Sequence, residues 1–223
     1  MANAIEVRDL CKQYPGFALK DVSFCVPEGF CCGFIGSNGA GKTTTLKILA
    51  GMAAPDSGEI RLLNRPEDDI SMKRELGILF DQPCFPEDWT ALNIAKCLRP
   101  FYRGWDDEKY FGYLSRFELD PQKKFRSFSR GMRMKLALAV HLSHGARLLL
   151  LDEPMGGLDP AMRDELRDIM REYLVTEGRT ILFSTHIISD LERIADSIVY
   201  IRHGEIVFCG SKDDLTSSYC AED

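Results

Sequence analysis

Two segments that lie far apart in the chain carry residue types suited to phosphate chemistry. The first, residues 36–43, reads Gly-Ser-Asn-Gly-Ala-Gly-Lys-Thr. The second is a run of four leucines, Leu148–Leu151, that is followed by Asp152 and Glu153. A buried strand that ends in two carboxylates places both acid groups at its exposed end, where a phosphate-binding loop can face them. Together the two segments predict a site for a nucleoside triphosphate and Mg²⁺.

The glycine-rich segment has the sequence context that phosphate binding requires. An apolar run at residues 30–35 precedes it, and the helical pattern that follows it stops at Gly51. Such a turn directs several backbone N–H groups at one point, and the helix N-terminus adds positive potential there. We expect Lys42 to reach the β- and γ-phosphates and Thr43 to offer its hydroxyl to Mg²⁺. The predicted nucleotide-binding residues of this segment are Gly36, Ser37, Asn38, Gly39, Ala40, Gly41, Lys42, Thr43 and Thr44.

The two carboxylates have different predicted roles. Asp152 is expected on the Mg²⁺ side, bound directly or through water, and Glu153 is expected to be the general base that activates the attacking water. On its own, an Asp-Glu pair at a strand end is as readily a solvated helix cap, and the phosphate loop is what favours the chemical interpretation. Phosphoryl transfer depends mainly on positioning and charge, so losing one catalytic carboxylate should lower the rate on the order of 10²–10⁴-fold.

Length and composition indicate one large globular domain with a substantial core. The chain has 223 residues, of which 45% are hydrophobic and 28% charged. A net charge of −6 argues against a nucleic-acid partner, because neutralising phosphates requires a basic face. The eight cysteines lack the pairing of zinc sites, so free thiols in a reducing cytosol are expected, with Cys31 and Cys32 in the core. Neither a signal peptide nor an apolar run near the roughly 18 residues of a membrane helix is predicted.

Predicted strands and helices alternate on both sides of an aromatic-rich, helical stretch. This alternation implies a largely parallel sheet covered on both faces. Residues 83–145 are interpreted as a helical subdomain inserted into a nucleotide-binding core, and residues 1–223 as a single domain. Strands are predicted at residues 5–10, 19–26, 30–35, 58–63, 76–80, 147–151, 180–184, 197–201 and 205–209, with helices at 43–50, 160–175 and 187–194.

Three further motifs follow the order in which one protein family has them along its sequence. With them, the chain resembles the ATP-binding subunit of ATP-binding cassette (ABC) transporters. Gln82 follows the strand at residues 76–80 and matches the family's Q-loop glutamine. Ser129 and Gly131, within Phe-Ser-Arg-Gly-Met, stand where the family has its Leu-Ser-Gly-Gly-Gln signature. His186, at the end of a strand, matches the family's switch histidine, which contacts the γ-phosphate. The resemblance covers nearly the whole chain.

Two weaker matches extend the resemblance. Tyr14 is similar to the aromatic residue that stacks on adenine, and Asp159 lies in a segment similar to the family's D-loop. Taken singly, Gln82 is more often a surface glutamine, His186 a capped or solvated histidine and Tyr14 a packed strand aromatic, while Ser129 is typical of a helix N-cap. Their ordered occurrence is what favours the functional interpretation.

The resemblance implies a fold, an activity and a set of roles. The expected fold is an α/β P-loop NTPase of the ABC type, with a mainly parallel sheet core, N-terminal antiparallel strands and the helical insertion. The expected activity is Mg²⁺-dependent hydrolysis of ATP. Catalytic roles fall to Glu153, His186 and Gln82, and Mg²⁺ ligation to Thr43, Gln82 and Asp152.

The resemblance also implies partners. Two chains are expected to dock head to tail, with each γ-phosphate between Lys42 of one chain and Ser129 and Gly131 of the other. The second chain would be a copy or a paralogue, and the permease a separate integral membrane protein. This would place the chain in the cytoplasm, on the inner face of the cell membrane. The groove wall expected to face the permease includes Phe85, Trp89 and Phe101, with packing against the core as an equal alternative for these aromatics.

Three positions depart from the family pattern. Arg130 replaces a glycine and Met132 a glutamine in the signature, and Gly156 replaces the usual small polar residue of the D-loop. The Ser-x-Gly-Met variant is similar to that of bacterial exporters of antibiotics and peptides, which favours export. Two alternatives stay open: an ABC-type ATPase that acts on ribosomes, DNA ends or cofactor assembly, and a degenerate cassette that holds ATP without hydrolysing it. The second is disfavoured by intact Lys42, Thr43, Asp152, Glu153 and His186.

Overall fold

The computed structural model describes residues 2–80 and 83–214, and its strands and helices alternate as the sequence predicts. The first part contains β1 (Asn3–Tyr14), β2 (Phe17–Pro27), β3 (Cys31–Ile35), α1 (Lys42–Leu49), β4 (Ser57–Leu62), β5 (Arg65–Pro66), α2 (Ile70–Lys73) and β6 (Leu76–Leu79). The second part contains α3 (Ala91–Leu98), α4 (Asp107–Arg116), α5 (Arg130–Ser143), β7 (Leu148–Leu151), α6 (Pro160–Leu174), β8 (Thr180–Thr185), α7 (Ile188–Ile194), β9 (Ser197–Arg202) and β10 (Glu205–Ser211). Across both ranges, none of the helices has the length and apolarity needed to cross a bilayer.

The strands form two sheets. The larger has the order β10-β9-β3-β8-β7-β6, and all its neighbours run parallel except β10 and β9. The smaller has the order β2-β1-β4-β5 and is antiparallel. The predicted parallel core and N-terminal antiparallel strands are both confirmed. The carboxyl ends of β3, β7 and β8 lie side by side, which is where an open parallel sheet binds its ligands.

Strand β7 shows why a four-leucine run precedes the acid pair. Leu149 and Leu151 point into a hydrophobic cluster on one face of the sheet. Leu148 and Leu150 point into a second cluster on the other face. Because side chains alternate across a strand, a strand covered on both faces has to be apolar throughout. The strand is therefore fixed from both sides, and its end holds Asp152 in a constant position.

The neighbouring cysteines of β3 follow the same alternation. Cys31 belongs to one cluster and Cys32 to the other, and both are fully buried, which confirms their predicted place in the core. Burial raises the pKa of both thiols, that of Cys32 to about 12. They are therefore protonated packing residues at neutral pH.

The aromatic-rich stretch contains α3, α4 and α5, which pack on the face of the sheet that Leu149 and Leu151 share. Tyr110 of α4 is fully buried, and its hydroxyl donates to the carbonyl of Ala91 on α3 at 2.9 Å. Of the three aromatics expected in a groove wall, Phe85 and Trp89 are partly buried against this cluster. Phe101 is 65% exposed.

Candidate nucleotide-binding site

The glycine-rich loop between β3 and α1 folds around the ammonium group of Lys42. Lys42 Nζ donates to the carbonyl oxygens of Gly36 at 2.6 Å and Ser37 at 3.2 Å. Gly41 precedes the helix, and a Cβ atom there would lie 2.7 Å from Leu19 Cδ2 and 3.1 Å from Phe17 Cζ. Only glycine lets the loop pack this closely against β2, so the sequence fixes both the shape of the loop and the place of its lysine.

Thr43 and Asp152 meet at the start of α1 and the end of β7. The Thr43 hydroxyl donates to Asp152 Oδ2 at 2.8 Å, and Asp152 is only 4% exposed. A hydroxyl and a carboxylate that share one point are the oxygen ligands that Mg²⁺ prefers, with phosphate oxygens and water as the remaining ligands. The two side chains therefore fit the predicted metal role.

Glu153 has both carboxylate oxygens in contact with cationic or polar groups. Its Oε1 lies 3.3 Å from Lys42 Nζ, and its Oε2 lies 2.9 Å from His186 Nδ1. Its backbone has a φ of 48°, a left-handed conformation that is uncommon for a residue other than glycine. Such strain persists only where neighbours enforce it, and it is concentrated at functional sites.

Ser184 enforces the geometry of both acids, and sequence reasoning missed it. Its hydroxyl donates to Asp152 Oδ1 at 2.6 Å and accepts from the backbone N–H of Glu153 at 2.9 Å. The side chain is fully buried near the end of β8, two residues before His186. The available signal was a hydroxyl at the end of a predicted strand, two residues before a candidate site residue.

Lys42, Thr43, Glu153 and His186 line one open cleft of about 700 Å³, whereas the buried Asp152 and Ser184 are not part of its lining. Of the predicted site residues, the cleft collects Asn38, Gly39, Gly41, Lys42, Thr43, Thr44, Glu153 and His186. Five further lining residues were not among the predicted site residues, namely Gly16, Phe17, Arg130, Gly156 and Gly157. Tyr14 is absent from the lining; it is 38% exposed and lies 5.6 Å, at its ring centroid, from Lys12 Nζ. Phe17 is the aromatic residue that the cleft contains.

Comparisons with known proteins decide the family. The family model described as ABC transporter matches residues 19–156. The chain is 38% identical to the uncharacterized ABC transporter ATP-binding protein YxlF of Bacillus subtilis (strain 168), over 95% of this chain and 72% of YxlF. The chain belongs to the ABC transporter family, as one of its ATP-binding proteins.

Further similarities agree with this membership. The bacitracin transport ATP-binding protein BcrA of Enterococcus faecalis is 32% identical to this ABC protein, over 93% of this chain and 69% of BcrA. The solved structure of an ATP-binding subunit of an ABC transporter matches with a TM-score of 0.88 and 30% identity, covering 97% of this chain and 93% of the other. This confirms the predicted ABC-type fold. The chain spans less than two thirds of the length of two other relatives.

Besides Tyr14, the cleft lining leaves out Gly36, Ser37, Ala40 and Asp152, which lie beside it in the loop and at the end of β7, and the residues predicted from the signature and D-loop segments of this ABC protein. Ser129 Oγ accepts from the Met132 N–H at 3.3 Å and caps α5, and Asp159 caps α6 in the same way. A Cβ atom on Gly131 would lie 2.5 Å from Met162 Cε, so this glycine allows α5 and α6 to approach each other. Gln82 lies outside the described residues.

Proposed function

We propose that this chain is the ATP-hydrolysing subunit of an ABC transporter, and that it drives a separate membrane permease. The observation that supports hydrolysis best is the convergence of four side chains on one cleft, with Asp152 bound to one of them, Thr43. Thr43 and Asp152 present oxygen ligands for Mg²⁺, while Glu153 presents a general base between Lys42 and His186. Positioning and charge stabilisation of this kind are the main protein contributions to phosphoryl transfer.

The contacts suggest what each side chain does. A γ-phosphate competes with the Glu153 carboxylate for the Lys42 ammonium, so nucleotide binding leaves that carboxylate available as a base. Glu153 accepts a proton from the water whose oxygen bonds to the γ-phosphorus, while the bond from that phosphorus to the ADP oxygen breaks. His186, through its contact at 2.9 Å, orients Glu153. Thr43 and Asp152 would hold Mg²⁺, which neutralises charge on the phosphate oxygens when bound.

The wider assignment follows the family. Residues 1–223 would form a single ATPase domain, with residues 83–145 as its helical subdomain. Gln82 would complete the metal and water side of the site and relay its state to the permease. Tyr14, together with Phe17 of the cleft, would contact the adenine ring. A second chain, as a copy or a paralogue, would supply Ser129 and Gly131 to the γ-phosphate, since both residues lie away from the lining of their own cleft.

The partner and direction of transport are part of the same proposal. A permease would hold the chain at the inner face of the cell membrane. Export is favoured by the Ser-x-Gly-Met signature and by the similarity to BcrA, an ATP-binding protein of bacitracin transport.

Steady-state ATP hydrolysis tests the catalytic part of the proposal. Glu153→Gln removes the general base and should lower kcat on the order of 10²–10⁴-fold while nucleotide affinity is kept. The matched control is Glu177→Gln, which changes an exposed carboxylate after α6 and should leave kcat unchanged. Wild-type protein without Mg²⁺-dependent hydrolysis, or a Glu153→Gln variant with normal kcat, would refute this assignment.

Capture from membranes tests the transport part. Tagged Glu153→Gln protein with MgATP, added to detergent-solubilised membranes of its own host, should recover an integral membrane protein in stoichiometric amount. Recovery of cytosolic partners alone would instead support an ABC-type ATPase that moves no solute.

A further inference from the structure

Arg130 is the signature residue that departs most from the family pattern, and its side chain reaches the nucleotide cleft of its own chain. It is the first residue of α5, directly after the capping Ser129. Its exposed side chain lines the cleft together with Lys42, Glu153 and His186. The cleft therefore contains a second cation from the signature segment without any contribution from another chain.

A pair of glycines provides the space that this arginine occupies. A Cβ atom on Gly157 would lie 2.8 Å from Arg130 Nη1 and 3.2 Å from its Cζ. A Cβ atom on Gly156 would lie 3.8 Å from Arg130 Nη2 and 3.7 Å from Glu153 Cβ. The guanidinium thus lies against the glycine pair, and Glu153, the predicted general base, also lies close to Gly156. Two departures from the family pattern, Arg130 and Gly156, are therefore parts of one arrangement.

The chemistry of this position points to a phosphate. A guanidinium is a planar fork that can bind two phosphate oxygens at once, and such charge-assisted bonds are among the strongest in proteins. Lys42 supplies the only other lysine or arginine charge among the described residues that line this cleft. The triphosphate of ATP carries more negative charge than one ammonium balances, and Glu153 adds a further negative charge. Arg130 lines the same cleft as Lys42 and Glu153, so its charge is available to the terminal phosphate of a nucleotide held by Lys42.

We propose that Arg130 binds the γ-phosphate of the nucleotide held by its own chain, and that Gly156 and Gly157 form the seat of its guanidinium. Ser129 and Gly131 then serve the partner's nucleotide, while Arg130 lets a single chain distinguish a triphosphate from a diphosphate before it pairs. This inference rests on the proposed function, because it assumes that nucleotide binds at the Lys42 loop.

Nucleotide affinities of the monomer test the proposal. Dissociation constants are measured by calorimetry for the non-hydrolysed analogue AMP-PNP and for ADP, both with Mg²⁺, at a concentration where light scattering shows a single chain. Arg130→Gln should weaken AMP-PNP binding about tenfold, the effect of one charge-assisted bond, and ADP binding less than twofold. Arg130→Lys, which keeps the charge without the fork, should fall between wild type and Arg130→Gln for AMP-PNP.

A matched control and a second variant separate this role from a structural one. Arg126→Gln removes an exposed arginine nearby that the cleft does not contain, and should change neither affinity. Gly157→Ala should reproduce the selective loss by displacing the guanidinium, and should add no further loss of AMP-PNP affinity to Arg130→Gln.

The outcomes distinguish this inference from the proposed function. An Arg130→Gln monomer that binds AMP-PNP as wild type does, or that loses equal affinity for both nucleotides, overturns the inference and leaves the proposed hydrolysis intact. Failure of the wild-type chain to bind AMP-PNP at all overturns both.

Discussion

At the scale of single residues, the hydroxyl of Ser184 joins the two acid groups of the site. It donates to Asp152 and accepts from the backbone N–H of Glu153. One side chain therefore holds the carboxylate of the predicted metal ligand and the backbone conformation of the predicted base. The left-handed backbone of Glu153 depends on such a restraint, because few residues other than glycine adopt it without support.

Ser184→Ala should therefore impair both stability and turnover. The substitution leaves Asp152 Oδ1 and the Glu153 N–H without this partner in a buried place, which should cost about 1–3 kcal/mol in the free energy of unfolding. We expect kcat for ATP to fall about tenfold because the acids lose their orientation, with a smaller change in KM. Urea unfolding and steady-state kinetics measure the two effects. Ser189→Ala, at an exposed hydroxyl on α7, is the control, and an equal kcat for the two variants would contradict the role of Ser184.

Site residues that belong to a motif with a fixed spacing could be predicted from the sequence. Site residues whose role depends on which strands lie side by side could not. Lys42 and Thr43 were predictable from the glycine loop, and the acid pair from the leucine run before it. Ser184 was not, because hydroxyls are common in strands and its role depends on β8 lying beside β7. Likewise, the β1–β2 connection brings Phe17 into the cleft lining, whereas the sequence offered Tyr14.

At the scale of elements, the end of α5 carries a buried histidine whose charge state affects the packing of the helical stretch. His144 is 2% exposed, and its ring stacks on Tyr102 with centroids 4.1 Å apart. Its Nε2 lies 3.3 Å from His141 Nδ1, so one of these two rings donates a hydrogen bond to the other. Burial lowers the pKa of His144 to about 4.

Stability should consequently fall as the pH drops below the ordinary histidine pKa of about 6.5. Between pH 6.5 and about 4 the unfolded chain binds a proton at His144 that the folded chain does not, so acid favours unfolding. From pH 7 to pH 5 this residue should lower the free energy of unfolding by about 2 kcal/mol. His144→Phe keeps a ring against Tyr102 and removes the titration.

The measurement is urea unfolding of wild type and His144→Phe at both pH values. Because His144 helps to lower the pKa of His141, the difference between the two pH dependences reports His144 together with its effect on His141. Equal losses of stability in the two proteins would show that His144 does not become protonated on unfolding in this range.

The individual strands were more predictable from the sequence than the partners with which they pair. Each strand of the parallel sheet was visible as a short apolar run, since strands covered on both faces are apolar throughout. The pairing of β1 with β4 across some fifty residues was not, because local patterns specify which face of a strand is buried and leave its partner open.

At the scale of the whole molecule, the described chain carries two phosphate-directed surfaces that adjoin at Arg130, which lines the cleft from the start of α5. One is the cleft with Lys42 and Glu153, and the other is the N-terminus of α5 with Ser129 and Gly131, which the cleft lining does not include. A second chain that docks head to tail would bring the α5 N-terminus of each chain to the cleft of the other. ATP would then stabilise the dimer because it binds more tightly where both surfaces are present.

The final prediction concerns the oligomeric state of Glu153→Gln, measured by light scattering. With saturating MgATP we expect the mass of a dimer, and with ADP in place of ATP the mass of a monomer. Adding Ser129→Asp should abolish the dimer, because a carboxylate would face the partner's γ-phosphate. Adding Ser129→Asn is the matched control, since asparagine and aspartate both cap a helix well and differ in charge. The dimer should therefore persist with asparagine, although weakened by the larger side chain. A monomeric Glu153→Gln protein in MgATP, or a dimer indifferent to Ser129→Asp, would rule out this docking of α5 on the nucleotide.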